Sequence, residues 1–282
     1  MSRAKGIINP ITAKEVKVTL RGHSLPALVI VVDLVLILAG LLGIYGRAAG
    51  MELAGQMDHR QFLYIYAALV GILAVIILLL GCSTAAGSIS GEKETGTYDL
   101  LKSAGLSPLA IAGGKFLSAA HICVTVIISA FPALLLPLVF GGPGLMQVFQ
   151  IIAGLLPLAL FSVTAGLYSS SVMRSTVAAA ALSAGIMLAF AVIPVLFGIL
   201  VWPMAAGGRN PAAYLLLADP LTPVASLVLK QIGEGSFVTA VLLRMGLSET
   251  SFIARHLTAL SFGVQTAISL LFFGLTVGKI SE

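Results

Sequence analysis

Apolar residues run along this chain in uncharged stretches of roughly 20 to 30 positions, not in the alternation of a half-buried strand or the spaced stripe of a surface helix. Six such stretches are found: 25–45, 62–86, 116–140, 145–173, 175–204 and 257–277. Only helices bury runs of that length in lipid, because each helix satisfies its own backbone polar groups. The pattern therefore predicts six membrane-spanning helices forming a single transmembrane domain over 1–282. A strand-built barrel is excluded, since its segments would alternate apolar and polar. Asp33 and His121 are the only acidic, basic or imidazole side chains inside the runs. Between the fourth and fifth runs stands Arg174 alone, which demands a tight turn.

Three segments between and beside the runs carry their own pattern. At 9–22, Ile11, Val16, Val18 and Leu20 mix with Lys14, Glu15, Lys17 and Arg21, which predicts a short amphipathic helix lying in the headgroup layer. Residues 90–114 form a strongly polar loop. Residues 205–256 are broken by Pro211, Pro220, Pro223, Gly233 and Gly235 yet rich in Leu and Val, so they are expected to fold into short helices that dip into the outer leaflet or cap the bundle. Pro132, Pro137, Pro157 and Pro194 are expected to kink the helices that contain them.

Composition agrees with the pattern. The 282 residues are 59% hydrophobic and 10% charged, with a mean hydropathy of +1.08, which excludes a soluble enzyme, a disordered chain and a disulfide scaffold. Sixteen Lys and Arg against eleven Asp and Glu leave a charge of +5. With the amino terminus inside, Arg3, Lys5, Lys14, Lys17, Arg21, Lys93, Lys102, Lys115, Arg174 and Lys279 fall on the cytoplasmic side. Arg47, Arg60, Arg209, Lys230, Arg244 and Arg255 fall outside. This bias puts both termini in the cytoplasm. The first 24 residues lack the apolar stretch and cleavage site of a signal peptide, so the first span is expected to serve as its own insertion signal. Cys82 and Cys123 lie in apolar runs and read as reduced core residues. No basic face with stacking aromatics points to nucleic acid.

Catalytic patterns are absent. The four histidines, His23, His59, His121 and His256, lie on different segments and form no metal-ligand pair. Gly81-Cys82-Ser83-Thr84-Ala85 lacks the closing glycine of a nucleophile elbow. Gly113-Gly114-Lys115 is followed by Phe116 and has Leu109 where a phosphate loop needs its first glycine. The chain is expected to hydrolyse no ATP and to bind no cofactor or metal.

The most specific stretch is Glu92-Lys93-Glu94-Thr95-Gly96-Thr97-Tyr98-Asp99-Leu100-Leu101, followed by Ser107-Pro108 and Gly114-Lys115. It resembles the first cytoplasmic loop of type-two ATP-binding-cassette (ABC) exporter permeases. Asn9-Pro10 and Lys14-Glu15 are similar to that family's amino-terminal interfacial helix, and with six spans the likeness covers the whole chain. The resemblance implies an all-α membrane subunit with an interfacial helix, a cytoplasmic coupling helix and short outer helices before the last span. It implies that Glu92, Lys93, Glu94, Gly96, Thr97, Tyr98, Asp99, Leu100 and Leu101 couple the chain to a separate ATPase. The local sequence favours a short helix over 95–101 with Tyr98, Leu100 and Leu101 on one side and Asp99 near its positive end. The implied complex contains two ABC ATPase subunits that hold ATP and Mg, and a second permease, identical or homologous, in the inner membrane of a prokaryote. Each permease would supply half of the translocation route.

Small residues at Gly81, Ala85, Gly87 and Gly91, and again along Ala178 to Gly185, provide faces for close helix contact. Packing within the subunit, across a permease pair or along a pore all remain open for them. Asp33 lies about 12 Å beyond Leu25 at 1.5 Å per residue, and His121 enters the third run at similar depth from Lys115. The two are expected to meet, as a helix-pinning pair or as a substrate or proton contact. The rival class is a stand-alone carrier or channel driven by an ion gradient. Inverted repeats and more intramembrane polar groups, its usual marks, are not visible in the sequence.

Overall fold

The computed structural model describes residues 24–54, 60–103, 105–201, 215–234 and 252–281. The expected interfacial helix at 9–22, with Asn9, Pro10, Lys14 and Glu15, and the outer stretches 205–214 and 235–251 lie outside the described residues. What is described is helical, with no strand among the described residues. The helices are α1 (Ser24–Ala54), α2 (Arg60–Glu94), α3 (Tyr98–Ser103), α4 (Pro108–Ser129), α5 (Phe131–Leu135), α6 (Leu145–Val172), α7 (Thr176–Val201), α8 (Thr222–Gln231) and α9 (Phe252–Ser281). Among the described residues six stretches are long and apolar enough to cross a membrane: within α1, α2, α6, α7 and α9, and over Pro108–Phe140.

The third of these stretches is not one continuous helix. Pro132 cannot donate to the ladder, and α4 stops at Ser129. The short α5 and a 3-10 turn (Leu136–Phe140) containing Pro137 complete the crossing. Pro157 and Pro194, by contrast, sit inside the unbroken α6 and α7. Gly141, with φ 83°, closes the 3-10 turn, and the N–H of Gly142 donates back to the Pro137 carbonyl at 2.9 Å.

The centre of the bundle is the pair α2 and α6, and glycine lets their backbones approach. A Cβ on Gly166 would stand 2.6 Å from the Cys82 carbonyl oxygen and 2.9 Å from Ala85 Cβ. On the facing helix, a Cβ on Gly81 would stand 2.1 Å from Ser162 Oγ. One turn closer to the Glu94 end, the Ser170 hydroxyl oxygen accepts from the backbone N–H groups of Ile89 and Ser90 at 2.9 and 2.8 Å. The small residues Gly81 and Ala85 thus pack within the subunit. The missing Cβ positions of Gly87 and Gly185, however, face open space.

Around this pair, α4 packs against α2 and α6, and an aromatic cluster ties α6 to α7 and α9. Phe161, fully buried, meets Phe190 edge-on at 5.4 Å, and Phe272 lies 5.5 Å from Tyr168. Cys82 and Cys123 are buried free thiols. At the end away from Glu94, α8 lies over the bundle. Buried Tyr66 donates to Gln231 Oε1 at 3.2 Å, Gln231 donates to the Gln147 carbonyl at 3.2 Å, and the hydroxyls of Ser226 and Thr258 are 3.0 Å apart. Asp219 accepts from the Leu221 N–H and the Thr222 hydroxyl just before α8, and burial raises its carboxyl above the usual range. This part of the 205–256 segment caps the bundle.

Candidate functional site

The polar run that was expected to open a loop belongs to a helix. Glu92, Lys93 and Glu94 form the last turn of α2, and the helix ends because of Gly96, not because of the charges. Gly96 takes φ 70°, a left-handed conformation open to glycine at little cost. The N–H of Gly96 then reaches the Lys93 carbonyl at 3.3 Å and that of Thr97 reaches the Glu92 carbonyl at 2.9 Å, the paired bonds of a Schellman stop. The Thr95 hydroxyl donates to the Gly91 carbonyl at 3.0 Å and lies 2.9 Å from that of Thr97, tightening the same turn. A helix over Tyr98–Ser103 follows, beginning three residues later than the expected 95–101 because the turn consumes Thr95 to Thr97.

Consecutive helical residues point about 100° apart, so three in a row can reach three neighbours, and here they do. Glu92 forms an ion pair with Lys115, two turns into α4, whose side chain is only 5% exposed. Lys93 donates to the carbonyl of Ser171 and, at 3.3 Å, to that of Met173, covering orphan acceptors at the end of α6. Glu94 accepts from the backbone N–H of Thr176 at 3.1 Å, where a carboxylate suits the positive start of α7. Ser175 also caps this helix, its Oγ accepting from the Ala178 N–H at 3.2 Å. The charged triplet therefore fastens the end of α2 to α4, α6 and α7.

The remaining residues of the motif divide between core and surface. Tyr98 is half-buried against the core, with the Lys93 ammonium 5.5 Å from its ring centroid. Burial, reinforced by the carboxylates of Asp99 and Glu92, raises its phenol above the ordinary value and keeps it protonated. Gly96, Thr97, Asp99 and Leu100 are exposed, Leu100 to 71%. Leu101 belongs to α3, but its side chain lies outside the described residues. Beyond α3, Ser107 caps α4 by accepting from the Ala110 N–H at 3.2 Å, with Pro108 in the first turn.

Asp33 and His121 do not pair as expected. Asp33 accepts instead from the Ser129 hydroxyl at 3.1 Å, eight residues past His121 and so about 12 Å further along α4. The expectation measured depth from Lys115, whereas α4 begins at Pro108 and Lys115 is already inside it. His121 Nδ1 is buried without a hydrogen-bond partner. Sequence reasoning also missed the Glu92 to Lys115 pair, although a lysine in an apolar helix calls for a nearby carboxylate. Nothing in the sequence signalled Ser129. Among the described residues no cluster of His, Cys, Asp and Glu could hold a metal ion.

Six apolar crossings among the described residues, two of them a close-packed central pair, define a multi-pass membrane protein, and a short helix stands at one end of it. A family model for the ABC-2 family transporter protein matches residues 9–276. The chain belongs to that family of ABC transporter permeases. Comparison with curated proteins gives no match.

Proposed function

We propose that this chain is the permease subunit of an ATP-driven exporter, with both termini and α3 on the cytoplasmic side of a prokaryotic inner membrane. Two ABC ATPase subunits bind ATP and Mg and do the hydrolysis; this chain holds no cofactor and catalyses nothing. A second permease, identical or homologous, completes the route. The observation that carries this reading is α3 itself: a six-residue helix in a family permease, set on a tightly closed turn, offering Leu100 and Asp99 outward. An exposed leucine beside a charge provides an apolar anchor with a register-setting group.

In this reading the motif has two layers. Asp99 and Leu100 meet the ATPase, while Glu92, Lys93 and Glu94 pass its movement inward. When ATP draws the ATPases together, α3 is displaced, and the triplet links that displacement to α4, α6 and α7 at once. Gly96 and Thr97 keep the joint between the two layers short.

Isolation of the tagged chain from its native membrane in mild detergent tests this. Mass spectrometry is expected to find a soluble subunit with a phosphate-loop motif, and Leu100→Asp is expected to remove it while the melting temperature of the permease stays unchanged. Absence of any ATPase beside a folded wild-type chain would contradict the proposal and favour a carrier driven by an ion gradient.

A further inference from the structure

An open cavity of about 620 Å³ lies beneath α3. Its walls come from four places in the chain: Lys93 at the end of α2, Tyr98 and Asp99 of α3, Val172 at the end of α6 with Arg174 just after it, and Lys279 near the end of α9. Three cations and one carboxylate line it. Arg174 and Lys279 line the same space as Lys93, whose ammonium donates to the Ser171 and Met173 carbonyls. Like charges gathered from separate helices around one space favour an anion between them.

The surroundings indicate where the anion comes from. Every cation lies at or just beyond the end of a membrane-crossing helix, the level of lipid phosphates. On α9, Leu271, Leu275 and Lys279 follow one another at four-residue spacing, on one face. Leu271 and Leu275 are 58% and 47% exposed among the described residues. An apolar stripe that leads to a cation matches an acyl chain leading to a phosphate. The exposed edge of Val172 adds an apolar lip at the same height.

We propose that this cavity binds the phosphate headgroup of an anionic phospholipid, with Arg174 and Lys279 as the main contacts, Lys93 at the back, and an acyl chain along α9. The site depends on the six membrane crossings and not on an ATPase partner, so the two proposals fail separately. A lipid here would sit behind α3 and stiffen the junction of α2, α6 and α9.

Native mass spectrometry of the purified full chain, offered equal phosphatidylglycerol and phosphatidylcholine with the same acyl chains, is the test. Wild type is expected to retain phosphatidylglycerol preferentially. Arg174→Gln with Lys279→Gln is expected to lose roughly 30-fold in that retention, and Arg174→Gln alone roughly fivefold, at the usual worth of a basic residue near an anionic surface. Arg174→Lys with Lys279→Arg should keep it. Equal retention of the two lipids, unchanged phosphatidylglycerol retention in the double Gln variant, or its loss in the charge-preserving variant would overturn the proposal. Displacement of the lipid by equimolar inorganic phosphate would reassign the cavity to a soluble anion. Loss of a co-purifying ATPase in the double Gln variant, with lipid preference intact, would reassign it to an acidic protein surface.

Discussion

Lys115 is a cation two turns inside a membrane-crossing helix, where the Glu92 carboxylate pairs with it. Removing a single partner of a buried pair strands the other charge, at about 3 to 5 kcal/mol for full burial. Glu92 keeps 27% side-chain exposure, so Lys115→Met is expected to cost about 2 to 3 kcal/mol, read as a lowered melting temperature in detergent. Adding Glu92→Gln should recover most of that loss, and no recovery would show that the pair is not the cause. The two close-contact glycines should differ. Gly166→Ala drives a methyl against the Cys82 backbone oxygen, whereas Gly81→Ala meets the side chain of Ser162. The first is expected to destabilise by about 1 to 3 kcal/mol and the second by less, as thermal unfolding of both would reveal. At this scale the sequence was only partly legible. Lys115 announced its need for an acid without naming it, and the depth of His121 was misjudged because the start of α4 was taken from the apolar run instead of from Ser107-Pro108.

Elements were easier to read, since lipid leaves a 20-residue apolar run few alternatives to a helix. Their limits were not, because helices continue past their apolar part until a residue stops them. For α2 the stop is Gly96, four residues after the first charge of the run. Gly96→Ala puts a Cβ into a left-handed conformation at about 1 to 2 kcal/mol. Open space around it means the strain stays in the turn. The expected outcome is a permease that melts almost as wild type but captures less ATPase, measured by quantitative co-purification. Equal capture would show that the Schellman turn does not set the position of α3. The charges of Glu92, Lys93 and Glu94 read as partner-facing from sequence, because hydropathy alone does not reveal that helix ends nearby offered orphan donors and acceptors. Helix α8 was foreseen only as some outer cap; its hydrogen bonds to Tyr66 and Gln147 required the fold.

Among the described residues, α2 and α6 are the most buried crossings, while α1, α7 and α9 expose large apolar surfaces, among them Leu42, Val177 and Leu188. Such faces suit lipid and the proposed second permease. The bundle is thus a more buried centre flanked by more exposed helices, with one small helix following the charged triplet that fastens the end of α2. Family membership and the six crossings were both readable in the chain before its fold, the first from the residues around Gly96 and the second from the apolar runs. The use of the charged triplet as an internal fastening was not. In the proposed function, α3 is the surface through which an ATPase acts on this bundle. A photoreactive residue at position 100, illuminated in intact native membranes, tests it most directly. An adduct with a phosphate-loop ATPase is expected, and none from the same residue placed at Leu271. Adducts with lipid or other membrane proteins alone from position 100 would contradict it.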